Sequence, residues 1–218
     1  MIKLGAKQLR TTKPFSKDLA KIKRNPIYII LDNVLDTYNV GSIFRLADAV
    51  AAKKIYLCGE TEIPPNPRIK KASIDTWKWV PWQYARTAKE AVLKLRNLKW
   101  EDRSRKENLT SNFKNPASHF SLRTSIIAIE QHPQSIPYDE AKYEFPLAVV
   151  VGNETYGVNK EVLDIADQIV EIPLWGVNRS LNVMVSLGIV LYEIMRQNYF
   201  FATRYKSMMA MSKIPPVA

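Results

Sequence analysis

Val149-Val150-Val151-Gly152-Asn153-Glu154-Thr155-Tyr156-Gly157 joins a β-branched apolar run to a loop of small and polar residues. With Leu147 and Ala148 in front, the run predicts a strand buried on both faces, the kind found in parallel sheets. Open α/β folds place their ligands at the carboxyl ends of such strands. The loop is neither Gly-x-Gly-x-x-Gly nor the Gly-Lys-[Ser/Thr] of a P-loop, so no pyrophosphate cradle is expected. A ligand here is nucleoside-like and carries no phosphates, with backbone at Gly152 and Gly157 close to a base or ribose. Two glycines serving only tight turns is the competing reading. Glu154 stands three residues past the strand end, where Arg45, Asn39 or Asn182 could be its partner.

Working outward, Ile27-Tyr28-Ile29-Ile30-Leu31 reads as a second buried strand, residues 40–52 as a helix and residues 54–57 as a third strand. That spacing is a βαβ unit and predicts a parallel sheet. The helix opens with Asn39-Val40-Gly41-Ser42-Ile43-Phe44-Arg45, in which Asn39 suits an N-cap. Arg45 lies on the same helix face as Gly41 and Ser42 and suits a phosphate or a ribose hydroxyl. Further strands are expected at residues 125–129, 147–151 and 168–172, with helices at 16–23, 88–98, 160–166 and 180–200. Residues 64–67, Pro-Pro-Asn-Pro, read as a break. Residues 133–146 read as loop. Trp77, Trp79 and Trp82 suggest a short strand or packed loop, with core packing ahead of base stacking. The last helix follows Asn178-Arg179-Ser180-Leu181-Asn182, and one of Asn178, Ser180 and Asn182 must cap it, leaving the other two for a ligand.

The 218 residues suffice for one domain, and 46% hydrophobic with 24% charged residues describe a globular protein. A formal net charge of +11 points to a polyanionic partner, nucleic acid first. Cys58 is the only cysteine, which excludes an intramolecular disulfide and a cysteine zinc site and fits a reducing cytoplasm. His119 and His132 are the only histidines, so neither a metal site nor a Ser-His-Asp triad assembles readily. No stretch is apolar and long enough to span a membrane, and no apolar stretch follows Lys3, Lys7 and Arg10 as a signal peptide requires.

Three divisions are expected: a basic N-terminal arm over residues 1–25, a single domain over residues 26–203, and a tail over residues 204–218. Within the domain, residues 97–115 are strongly polar and read as an insertion reaching to about residue 124. The helix of residues 181–200 is apolar nearly all round, which suggests burial on more than one side, in a homodimer or inside the monomer.

The three loop segments together resemble the SPOUT-class RNA ribose 2′-O-methyltransferases of the SpoU/TrmH branch. The likeness rests on Asn39-x-Gly41-Ser42-Ile43-x-Arg45, on Gly152-x-Glu154-x-x-Gly157 after an apolar strand, and on Ile172-Pro173 with Ser180-Leu181-Asn182-Val183. The third motif departs at Met184, where the family usually carries a small residue. The resemblance implies an α/β fold, a mostly parallel sheet flanked by helices with a C-terminal deep trefoil knot. It implies S-adenosylmethionine as cofactor, no metal, and a homodimer built partly on the last helix. Arg45 is then catalytic, with Asn39, Glu154, Ser180 and Asn182 as the other active-site polar groups. Val151, Gly152, Asn153, Glu154, Gly157, Ile172, Leu174, Ser180, Leu181 and Asn182 form the cofactor pocket. RNA, with tRNA ahead of rRNA, is held by Lys7, Arg10, Lys13, Lys17 and Arg45, with Arg204, Lys206 and Lys213 near the other terminus. Whether Arg45 serves its own pocket or its partner's stays open, as does a non-catalytic RNA-binding protein of the same fold.

Overall fold

In the computed structural model, Gly5, Gln8 and residues 14–98 and 123–198 are described. Lys7, Arg10, Lys13, Arg204, Lys206, Lys213 and nearly all of the expected insertion lie outside them. Seven parallel strands form one sheet in the order β3-β2-β1-β6-β4-β7-β5. They are β1 (Asn25–Asp32), β2 (Ala52–Cys58), β3 (Trp82–Ala85), β4 (Ser125–Ile129), β5 (Ile136–Pro137), β6 (Leu147–Val151) and β7 (Gln168–Glu171). Residues 133–146, expected to be loop, therefore contain a two-residue strand that pairs with β7 through Ile136 and Val170.

Successive side chains leave opposite faces of a strand, and here both faces are covered. Ile27, Ile29, Leu31, Val149 and Val151 pack on one side with helices α2 (Thr37–Ala49), α3 (Pro67–Ser73) and α6 (Val183–Asn198). Tyr28, Ile30, Ala148 and Val150 pack on the other with α4 (Ala88–Arg96) and α5 (Lys160–Leu163). A four-residue helix, α1 (Ser16–Leu19), precedes the sheet. Two-sided burial is the reason the strands read as unbroken apolar runs. Cys58 ends β2 fully buried.

Two helix starts differ from expectation. The cap of α2 is Asp36, whose carboxylate accepts from the Tyr38 amide at 2.8 Å, so Asn39 falls inside the first turn and is buried. Residues 64–67 do not merely break the chain. The Asn66 side chain accepts from the amides of Arg68 and Ile69, and Pro67 takes the first helical position, where its missing N–H costs nothing. The resulting α3 crosses α2 at Gly41. A Cβ there would lie 2.6 Å from Ala72 Cβ and 2.8 Å from the Ile69 carbonyl, so Gly41 permits helix contact and does not face a ligand. Trp77, Trp79 and Trp82 pack against the core, as does Met184, and the Trp79 indole donates to Asp48 at 2.8 Å.

From β1 the sheet grows both ways, to β2 on one side and β6 on the other. Such a switch point opens a crevice at the carboxyl ends of the strands. The segments that follow β1, β4, β6 and β7 meet there.

Candidate functional site

The loop after β6 is fixed almost atom by atom. Asn153 and Gly157 exchange backbone hydrogen bonds at 3.0 and 2.9 Å. The Asn153 side chain accepts from the amides of Thr155 and Tyr156 and donates to the Asn33 carbonyl at 2.9 Å. Glu130, just past β4, accepts from the Val158 amide at 2.8 Å. Asp32, only 1% exposed at the end of β1, accepts from the backbone and side-chain amides of Asn159 at 2.9 and 2.7 Å. Gly157 adopts φ +69°, a conformation that L side chains resist. A Cβ on Gly152 would fall 2.0 Å from the Gly157 carbonyl carbon. The two glycines are thus required by the turn itself.

Glu154 leaves this loop and reaches the first motif. Its carboxylate accepts from the amides of Leu35 and Asp36 at 3.0 and 3.1 Å and from Asn39 Nδ2 at 3.0 Å. A carboxylate accepts only, which turns the amide oxygen of Asn39 the other way. That oxygen accepts from Asn182 Nδ2 at 3.0 Å. Asn182 in turn caps α6, its Oδ1 accepting from the amides of Met184 and Val185 at 2.9 and 3.4 Å. The line Glu154–Asn39–Asn182 therefore ties together all three segments singled out in the sequence. Partial burial works to raise the Glu154 pKa, but the Asn39 side chain and the backbone amides of Leu35 and Asp36 outweigh it and hold the carboxyl below its ordinary value.

Beside this line lies a pocket of about 440 Å³. All ten residues expected to hold a cofactor line it: Val151, Gly152, Asn153, Glu154, Gly157, Ile172, Leu174, Ser180, Leu181 and Asn182. Asn39 supports its wall through Asn182 and Glu154. Glu130, Gln131 and Glu171 also line it and were missed, although a carboxylate follows both β4 and the core of β7, the same signal that marked Glu154. With Glu130, Glu154 and Glu171 against one cation, Arg179, the lining disfavours phosphate and suits a nucleoside bearing positive charge. Ser180 is exposed, its amide and hydroxyl turned to the Asn178 side chain at 3.2 and 3.5 Å.

Arg45 is placed differently from the rest. It is exposed, does not line the pocket of its own chain, and is not touched by Glu154. Six residues along α2 from Asn39 amount to roughly 9 Å of helix axis. Of the three partners considered for Glu154, its own chain supplies Asn39. Lys17 is exposed on α1, its ammonium 5.5 Å from the Phe15 ring centroid. Among the described residues no group of three or more His, Cys, Asp or Glu could hold a metal ion, and no helix is long and apolar enough to cross a membrane.

The model of the SpoU rRNA Methylase family matches residues 26–115 and 108–192. The chain is 27% identical over 187 residues to a tRNA (guanosine(18)-2′-O)-methyltransferase of Aquifex aeolicus, covering 83% of this chain and 74% of that protein. It is 30% identical over 175 residues to the 23S rRNA (guanosine-2′-O-)-methyltransferase RlmB of Haemophilus influenzae, covering 80% of this chain and 61% of that one. The structure superimposes on an AdoMet-bound rRNA methyltransferase from Sinorhizobium meliloti with a TM-score of 0.63 at 26% identity, covering 88% of this chain and 60% of that chain. The chain thus spans between 60% and 74% of the length of these three proteins.

Proposed function

We propose an activity for this chain from one premise: it belongs to the SpoU rRNA Methylase family. The activity is transfer of a methyl group to a ribose 2′-hydroxyl of tRNA or rRNA. The observation that carries it is the closed line Glu154–Asn39–Asn182 beside the 440 Å³ pocket. The pocket's residues suit S-adenosylmethionine: three carboxylates for its positive charges, a glycine-bounded wall for close backbone approach, and no phosphate cradle. When bound, that molecule supplies an already activated methyl group. A deep trefoil knot in the C-terminal part of the chain belongs to the same reading.

The chain's own task is alignment and charge. A ribose hydroxyl must lie in line with the donor and lose its proton. Arg45 is not the base, because a guanidinium keeps its proton above roughly pH 12. It grips the phosphate beside the target ribose and stabilises the developing alkoxide charge. It does so across a homodimer. Tyr38 and Arg45 are exposed on α2, and Leu181, Val185 and Tyr192 on or beside α6, which packs against α2. Two neighbouring helices with uncovered apolar groups support a two-fold interface in which Arg45 enters the partner's pocket. The long basic arm adds phosphate contacts, and tRNA in the cytoplasm is the favoured substrate.

The test is direct. Purified protein methylates bulk tRNA or rRNA, and nucleoside mass spectrometry finds a 2′-O-methylnucleoside. Arg45→Ala lowers the rate by 100-fold or more while calorimetric S-adenosylmethionine affinity holds. A variant within a few-fold of the parent rate would refute the role of Arg45. Absence of donor binding by the parent would favour the non-catalytic RNA-binding reading.

A further inference from the structure

Trp175 is 93% exposed, in contrast to Trp77, Trp79 and Trp82, which pack on the core. Indole is among the most costly side chains to leave in water, and an isolated, fully solvated Trp is rare. Val177, two residues on, is also fully solvated, and Tyr156 is 88% exposed on the opposite loop. All three adjoin residues that line the pocket without lining it themselves: Leu174 and Asn178 bracket Trp175 and Val177, and Thr155 and Gly157 bracket Tyr156. Nothing lies within 4 Å of where a Cβ on Gly176 would stand, so the space around the segment is open. One end of it is held. Gln131 Nε2 donates to the Arg179 carbonyl at 2.6 Å, which anchors the end of the segment to the loop after β4. Arg179 itself is exposed, and no carboxylate of the described residues pairs with its guanidinium.

We propose that residues 175–179 form a recognition element for an unpaired RNA nucleotide, with the Trp175 indole stacking on a base and Arg179 meeting a neighbouring phosphate. The proposal rests on the RNA-methylation reading above and adds to it the surface that holds the substrate. A ribose whose 2′-oxygen must reach into a pocket cannot stay within a regular helix, so its base or the next one is left without a stacking partner. An exposed ring beside a cation supplies one, and every base has a face to stack, so the contact does not depend on sequence. The chain's net charge of +11 and the Arg179 guanidinium beside the ring favour a polyanion at this rim.

The experiment compares the full-length parent with Trp175→Ala and Trp175→Phe. A fluorescein-labelled 12-nucleotide single-stranded RNA is followed by anisotropy, S-adenosylmethionine binding by calorimetry, and mass by sedimentation equilibrium. Trp175→Ala weakens RNA binding by about 10- to 100-fold, and Trp175→Phe restores it to within about 3-fold of the parent. Donor affinity and oligomeric mass are unchanged in both. With bulk RNA as substrate, the loss shows as a raised KM far more than a lowered kcat. Unchanged RNA affinity in Trp175→Ala overturns the proposal, and so does a changed oligomeric mass, which would mean that a second copy covers the ring. Failure of the parent to bind the donor would overturn the methyltransferase reading instead, and the anisotropy series would still decide the role of Trp175.

Discussion

The loop after β6 and the segment after β7 line the same pocket and are held in opposite ways. In the first, the side chains of Asp32, Glu130, Asn153 and Asn159 are spent on the fold, and backbone meets backbone at Gly152. In the second, Trp175, Val177 and Arg179 face solvent, and anchoring comes from the Arg179 carbonyl and from Asn182 at the start of α6. A wall whose polar groups are already satisfied can present shape and fixed dipoles to a ligand at no reorganisation cost. A segment with uncommitted side chains can adapt to a partner. One wall of the pocket is therefore committed to the fold, and the other leaves its side chains uncommitted.

Alanine at Gly152 and at Gly176 should separate the walls most sharply. Gly152→Ala forces a Cβ into the backbone of Gly157 and should cost on the order of 3 kcal/mol or more, with loss of donor binding. Urea unfolding and calorimetry would measure both, and a change below 1 kcal/mol would break the contrast. Asp32→Asn places an amide NH₂ against the Asn159 donors in a buried site and should destabilise by about 2 kcal/mol. Hydrogen exchange should then report faster opening of residues 157–160 than of the β7–α6 segment.

Glu154→Gln keeps the shape and loses the charge-assisted hydrogen bonds, at a cost of roughly 1 kcal/mol. The sign with pH follows from a carboxyl whose folded-state pKa is depressed. Its stabilisation is fully present above the ordinary value of roughly 4.3 and is lost as pH falls through the lower folded value. The parent should thus exceed the variant in stability at neutral pH and converge with it in acid, as thermal melts between pH 7 and pH 3 would show. Smallest is Gly176→Ala, where a Cβ meets nothing, with a change within about 0.5 kcal/mol.

What the sequence made legible follows the same division. Buried strands carry apolar runs, so β1, β2, β4, β6 and β7 were all readable, and the small and polar residues after β6 and after β7 marked the pocket. The cap of α2 was misread because Asp36 and Asn39 both suit a helix start and only the partners, Tyr38 for one and Glu154 for the other, decide between them. Helix α3 was hidden by two prolines ahead of a good cap at Asn66, and the purpose of Gly41 by the helix that crosses it. Glu130 and Glu171 stand one residue past or at the end of a strand, without a neighbouring glycine to single them out. Arg45 carries chemistry in its type, but its distance from the pocket of its own chain is a property of the fold.

The burial of Cys58 has a practical outcome. Removal from water, with Asp32 and Glu90 nearby, pushes its thiol up to about 12, so under native conditions almost no thiolate exists to meet an alkylating reagent. The chain behaves as if free of cysteine until it opens. A thiol engineered at position 176 would therefore be labelled alone, and the delayed modification of Cys58 would serve as a built-in clock for the unfolding of the sheet.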